Sequence, residues 1–96
     1  PGEWEGRSAV TASPNPFQTS IVLRAFSPDQ PVMFEALEVY DVRGRMLRRF
    51  TPVSGTQEIL WDGRDAAGSP VAPGMYVLSV RAGSSRHRYK VVKVSP

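Results

Sequence analysis

The chain has 96 residues, of which 41% are hydrophobic and 22% charged, with a formal net charge of +3. That length suits one domain with a single modest core, burying about 60–65% of the surface an unfolded chain exposes, and the composition excludes the disordered class. Without cysteine there is neither a disulfide framework nor a thiolate metal site, and no apolar run approaches the ~20 residues that cross a bilayer as a helix, so no membrane insertion is expected. The start Pro1-Gly2-Glu3-Trp4 lacks both Met and a basic-then-apolar leader pattern, so an upstream portion is expected.

Nine prolines and eight glycines, spread along the chain, favour short strands over helices, because neither residue leaves a helical run intact. Residues 1–8 are polar and aperiodic and read as a linker, with the folded domain spanning 9–96. A first short strand is predicted over 10–12, ended by Ser13-Pro14-Asn15-Pro16, where two prolines exclude helix. Residues 17–26 form the next strand, and Ser27-Pro28-Asp29-Gln30-Pro31 turns the chain. Over 32–40 the β-branched and aromatic content predicts a strand, with Phe34, Ala36 and Glu38 opposed to Met33, Leu37 and Val39.

Tyr40-Asp41-Val42-Arg43-Gly44-Arg45 is hairpin chemistry, with Gly44 at positive φ and a return strand over 46–50. A strand over 58–61 enters the most specific stretch, Trp61-Asp62-Gly63-Arg64-Asp65 through Gly68, Pro70, Pro73 and Gly74 to Met75-Tyr76, where turn residues sit between two large rings. Strands over 75–81 and 86–94 follow, joined at Ala82-Gly83-Ser84-Ser85. About seven strands with turns every 8–12 residues predict an all-β, immunoglobulin-like two-sheet antiparallel sandwich. Its expected inner faces carry Ile21, Leu23, Leu37, Val39, Leu60, Tyr76, Leu78, Val80 and Val92, with Trp61 buried.

No residue pattern points to catalysis. The single histidine, His87, lies among Arg86, Arg88 and Lys90 without a nucleophile elbow or a cysteine. Asp62 and Asp65 invite a calcium reading, but their spacing departs from the EF-hand loop and Asp before Gly is ordinary turn chemistry, with Arg64 placed to neutralise either carboxylate. Neither metal nor cofactor is expected, and the chain reads as no enzyme. Trp4, Tyr40 and Trp61 are candidates for a sugar platform, with packing the better role for Trp61. The basic groups Arg43, Arg45, Arg48, Arg49 and Arg86, Arg88, Lys90, Lys93 lack the basic helix or interleaved stacking aromatics of a nucleic-acid reader, and they read as solvated strand positions guarding sheet edges.

Four segments occur in one order: Pro14-Asn15-Pro16-Phe17, Val39-Tyr40-Asp41-Val42-Arg43-Gly44-Arg45, Trp61-Asp62-Gly63-Arg64-Asp65 with Gly68, and Pro73-Gly74-Met75-Tyr76. Over about residues 9–94 this order resembles the C-terminal sorting domains of the Bacteroidetes type IX (Por) secretion system, and the closely similar immunoglobulin-like domain of flagellar hook-capping proteins. The resemblance implies a sandwich at the C-terminus of a larger secreted protein, exported through periplasm and outer membrane to the cell surface. Its partners would be the upstream cargo domain, the outer-membrane secretion machinery and a sortase-like peptidase, with no nucleic acid.

By the same resemblance, Tyr89, Lys90, Val91, Val92, Lys93 and Val94 match the basic and apolar terminal strand that carries the sorting signal. An edge strand with unpaired backbone groups would offer a receptor a place for strand addition, with Lys90 and Lys93 giving specificity; the alternative is that the strand merely completes the sheet. Pro14, Asn15, Pro16, Tyr40, Asp41, Gly44, Trp61, Asp62, Gly63, Gly68, Gly74 and Tyr76 are expected to be mainly structural. An accessory binding, adhesion or hook-cap-like structural module of an extracellular protein is the alternative.

Overall fold

The computed structural model describes residues 9–26, 32–83 and 85–95; the linker assigned to 1–8, Trp4 and the turn at 27–31 lie outside them. Among these residues seven strands run in the order β1 (Ala9–Ser13), β2 (Ile21–Phe26), β3 (Phe34–Asp41), β4 (Met46–Phe50), β5 (Glu58–Trp61), β6 (Gly74–Ala82) and β7 (Ser85–Lys93). They form two antiparallel sheets, β1-β2-β5 and β4-β3-β6-β7, and no helix occurs among the described residues. The predicted sandwich is thus the observed architecture, and one apolar cluster fills the space between the sheets.

Alternation sets which side chains face inward. In β2 Ile21, Leu23 and Ala25 are buried while Arg24 and Phe26 are exposed, and in β6 Tyr76, Leu78, Val80 and Ala82 face the core. Two assignments of the inner face are corrected. Leu60 is 54% exposed, and Ile59 takes the core position beside Trp61. The demand of the Trp61 ring for burial and the exposed charge of Glu58, two residues before Leu60, together fix the phase of β5. In β7, Val91 stands opposite Tyr76 and is buried, whereas Val92 pairs with Met75 on the outer face.

β3 departs from strict alternation. Phe34 pairs with Ala82 but Ala36 pairs with Arg81, so Glu35 is an extra residue in the ladder. This bulge lets Phe34 share the inner face with Leu37 and Val39, three and five residues on. Phe34 was expected on the opposite face, which a regular pleat would require. Phe17 also lies outside the strand predicted for 17–26: it forms an isolated parallel bridge with Lys93 and is buried.

Candidate functional site: the closing strand and the turns that hold it

The four motifs build one end of the sandwich. Trp61 is fully buried between Phe17, with ring centroids 5.4 Å apart, and Tyr76, at 5.8 Å and nearly perpendicular. Such tilted and edge-on arrangements suit the ring quadrupoles. Both polar handles are engaged, Trp61 Nε1 donating to the Arg64 carbonyl at 2.9 Å and Tyr76 Oη to the Ala72 carbonyl. Burial raises the Tyr76 phenol above its ordinary value, with the Asp41 carboxylate adding to the effect.

The acidic turn residues are spent on backbone. Asp41 Oδ1 accepts the N–H groups of Arg43 and Arg45, each at 2.9 Å, and Gly44 sits at φ 86° as the hairpin requires. The Arg45 N–H is the chief reason its carboxyl is held below the ordinary range, with the Arg43 N–H and the Arg45 guanidinium assisting. Asp65 Oδ1 accepts from Ala67 and Ser69, both at 3.0 Å. Partial burial pushes the Asp62 carboxyl up, but the Arg48 guanidinium at 2.9 Å and the Arg64 N–H outweigh it and hold the group low.

Arg48, from β4, is therefore the partner of Asp62, and it also reaches the Arg64 carbonyl at 3.1 Å while stacking on Phe50. Arg64, expected to neutralise the carboxylates, instead sends its guanidinium to the Gly68 carbonyl. No group of three or more metal-binding side chains occurs among the described residues.

A lowered folded-state pKa at Asp41 stabilises the fold above the unfolded-state pKa, and that contribution is lost as pH falls through the folded value. We expect Asp41→Asn to lower the melting temperature at neutral pH and to flatten the fall in stability between about pH 5 and about pH 2. Melting curves across that range check this; an unchanged slope would remove Asp41 from the acid response.

Asn15 was expected to be mainly structural, without a partner assigned. Its side-chain amide lies along the outer edge of β7, Nδ2 donating to the Lys90 carbonyl at 3.2 Å and Oδ1 accepting the Val92 N–H at 3.0 Å. Two residues on, the Phe17 N–H donates to the Val92 carbonyl and the Val94 N–H to the Phe17 carbonyl, both at 2.9 Å. Four consecutive edge groups, Lys90 C=O to Val94 N–H, are thus already paired. The expectation of a free edge along this segment is corrected, because the Asn15 side chain and the Phe17 backbone occupy it.

Three of the six closing side chains are also committed. Val91 is in the core, and Tyr89 donates its hydroxyl to the Val10 carbonyl at 2.7 Å across the seam between the sheets. Lys93 was expected to be a free charge, yet it is half-buried. Its stem runs past Gly63 and its ammonium donates to the Val71 carbonyl at 2.7 Å. A Cβ at Gly63, whose φ is 72°, would stand 3.0 Å from the Thr19 carbonyl oxygen, so glycine is needed there on two counts. Lys90 and Val94 are the members of the segment whose side chains are exposed.

His87 lies on the inner side of β7, its ring parallel to Tyr89 at 6.1 Å, and its Nε2 is buried without a hydrogen-bond partner among the described residues. Tyr40, half-buried on the outer face, donates its hydroxyl to Glu38 at 2.6 Å, and this bond is the main reason its phenol is raised.

Two facing antiparallel sheets with an aromatic knot between them define an immunoglobulin-like domain. The chain matches the FlgD Ig-like domain family over residues 16–86, more than half its length, and belongs to that family. No curated protein matches it. Two solved structures share the fold. Dimeric latent PorU from Porphyromonas gingivalis aligns at a TM-score of 0.65 and 24% identity, over 94% of this chain and 9% of PorU. PorZ, an essential surface component of the type IX secretion system of the same organism, aligns at 0.65 and 22%, over 90% of this chain and 11% of PorZ. The chain therefore spans about a tenth of either protein.

Proposed function

We propose that this domain is a non-catalytic sorting module that directs a larger secreted protein through the type IX secretion system to the cell surface. The observation that carries the reading is the shared fold with a module of PorZ, whose host protein is a surface component of that system. The partners would be the outer-membrane machinery, a sortase-like peptidase and the attached cargo. The turn residues Asn15, Asp41, Asp62 and Asp65 each use a side-chain oxygen to hold backbone N–H groups, which supports a structural role for the turns. If the signal lies in residues 89–94, Lys90 and Val94 present it most openly, because Tyr89, Val91 and Lys93 have their side chains engaged in the fold. Membership of the FlgD Ig-like family favours a second reading, an accessory or hook-cap-like structural module of an extracellular assembly.

A periplasmic reporter fused ahead of the domain, in a type IX-competent bacterium, tests the first reading. We expect the reporter outside the cell, and Lys90→Glu combined with Val94→Ser to retain it in the periplasm while leaving the melting temperature within a few degrees, as surface changes generally do. An intact fusion that stays in the periplasm of a host exporting its own cargo would replace the sorting reading with the structural one. Normal export of the folded double variant would move the signal away from residues 89–94.

A further inference from the structure

The edge of β7 has two halves of different character. From Lys90 C=O onward its outward backbone groups are taken by residues 15–17. The pleat directs the N–H and C=O groups of every second residue away from β6, so the same alternation turns those of Arg86 and Arg88, and the Lys90 N–H, outward. Among the described residues these groups have no partner.

The same three residues carry unpaired charge. Arg86, Arg88 and Lys90 stand opposite Arg81, Ser79 and Val77 of β6, with their side chains exposed on the outer face of the four-stranded sheet. No described carboxylate pairs with them, because the acids on that face are engaged further in: Glu35 with Arg81 at 3.2 Å and Glu38 with Arg49 at 3.8 Å. Arg49, Arg81, Arg86, Arg88 and Lys90 against Glu35 and Glu38 give this face an excess of three positive charges, equal to the net charge of the whole chain. The remaining seven basic and seven acidic residues cancel.

Charge and backbone together select the occupant. A second copy of this edge would bring like charges together, which opposes self-pairing. A nucleic acid or an acidic polysaccharide would satisfy the cations but has no peptide groups to complete the ladder. An extended polypeptide with a carboxylate at every second residue satisfies both, since residues two apart on a strand are separated by about 6.8 Å, the repeat of the three cations themselves. We propose that the Arg86 to Lys90 stretch of β7 is a docking site at which an acidic, extended segment of a partner protein adds as a fifth strand. The site is short, about 14 Å from residue 86 to 90, and it ends where the Asn15 side chain begins. This inference does not rest on the sorting reading, and Arg86 and Arg88 lie outside the segment on which that reading depends.

The test uses the whole chain and a seven-residue peptide alternating threonine and glutamate. Titration followed by amide hydrogen exchange should show binding that weakens with salt and new protection at the Arg86 and Arg88 N–H groups. Arg86→Glu with Arg88→Glu, both exposed, should keep the melting temperature within a few degrees and weaken the peptide more than about tenfold, each lost cross-strand ion pair contributing a share. The same peptide N-methylated at alternate residues keeps its charge but loses half its ladder bonds, and it should bind at least about tenfold more weakly. Equal binding of the methylated peptide, or of heparin at matched charge with no amide protection, would overturn strand addition in favour of a simple polyanion surface. Absence of any binding at low salt would overturn the site altogether.

Discussion

Trp61→Ala is expected to cost about 3–5 kcal/mol, the range for deleting a large buried ring. Small domains have total stabilities of roughly 5–15 kcal/mol, so the variant should be marginally folded. The expectation follows from a side chain with no exposed surface, packed against Phe17 and Tyr76, whose indole N–H also fixes the Arg64 carbonyl in the loop. Trp61→Phe separates the two contributions: much of the packing remains and the hydrogen bond is lost, for which about 1 kcal/mol is expected beyond the change in volume. Urea unfolding with an unchanged slope would report these as stability differences. A loss below about 1 kcal/mol for the alanine variant, far under the range for large buried rings, would show that the ring is peripheral.

The fold was legible where local backbone chemistry dictates it. Asp41 with Gly44 writes a hairpin through two N–H acceptances and a positive φ, and the Trp61-Asp62-Gly63 turn binds itself in the same way. The phase of β5 and β7 was misread at Leu60 and Val92, although the charges two residues before them, Glu58 and Lys90, mark that face as the outer one. The bulge at Glu35, whose signal is the odd spacing of Phe34 from Leu37, was not legible. What the sequence hid most completely were contacts between distant residues. Asn15 acts on Lys90 and Val92, 75 and 77 positions away, and Lys93 on Val71, 22 away. Residue type announces that Asn can pair with backbone and that Lys can donate; only the packing of the two sheets says to whom.

These distant contacts decide how the closing strand can be read by another molecule. Its C-terminal half is fastened at the backbone by residues 15–17 and at the side chain by Val71, with the Val91 side chain in the core. A partner reading residues 90–94 in the folded state meets mainly the Lys90 and Val94 side chains, or must first displace Asn15. The N-terminal half keeps its backbone groups and its cations available among the described residues, which is why the two functional tests above use different substitutions.

The second large effect is expected at Phe17, where the fastening meets the core. Its ring is 1% exposed and contacts Trp61, while its own N–H and C=O hold Val92 and Val94. Phe17→Ala should therefore cost about 3–5 kcal/mol and accelerate amide exchange throughout both sheets, because the core itself is weakened. Asn15 is exposed and contributes two hydrogen bonds to the same edge. Asn15→Ala should lower global stability by no more than about 2 kcal/mol, at about 0.5–1.5 kcal/mol per bond, and its effect should be local. The Val92 N–H, whose acceptor is the lost amide oxygen, should exchange at least about tenfold faster while the amides of β3 and β6 keep their rates, the signature of opening confined to one segment. Uniform acceleration by both variants would mean that β7 cannot open apart from the core, and that any partner reading residues 90–94 must accept the strand as it is fastened. Unchanged exchange at Val92 in Asn15→Ala would show that the Phe17 backbone alone closes the edge.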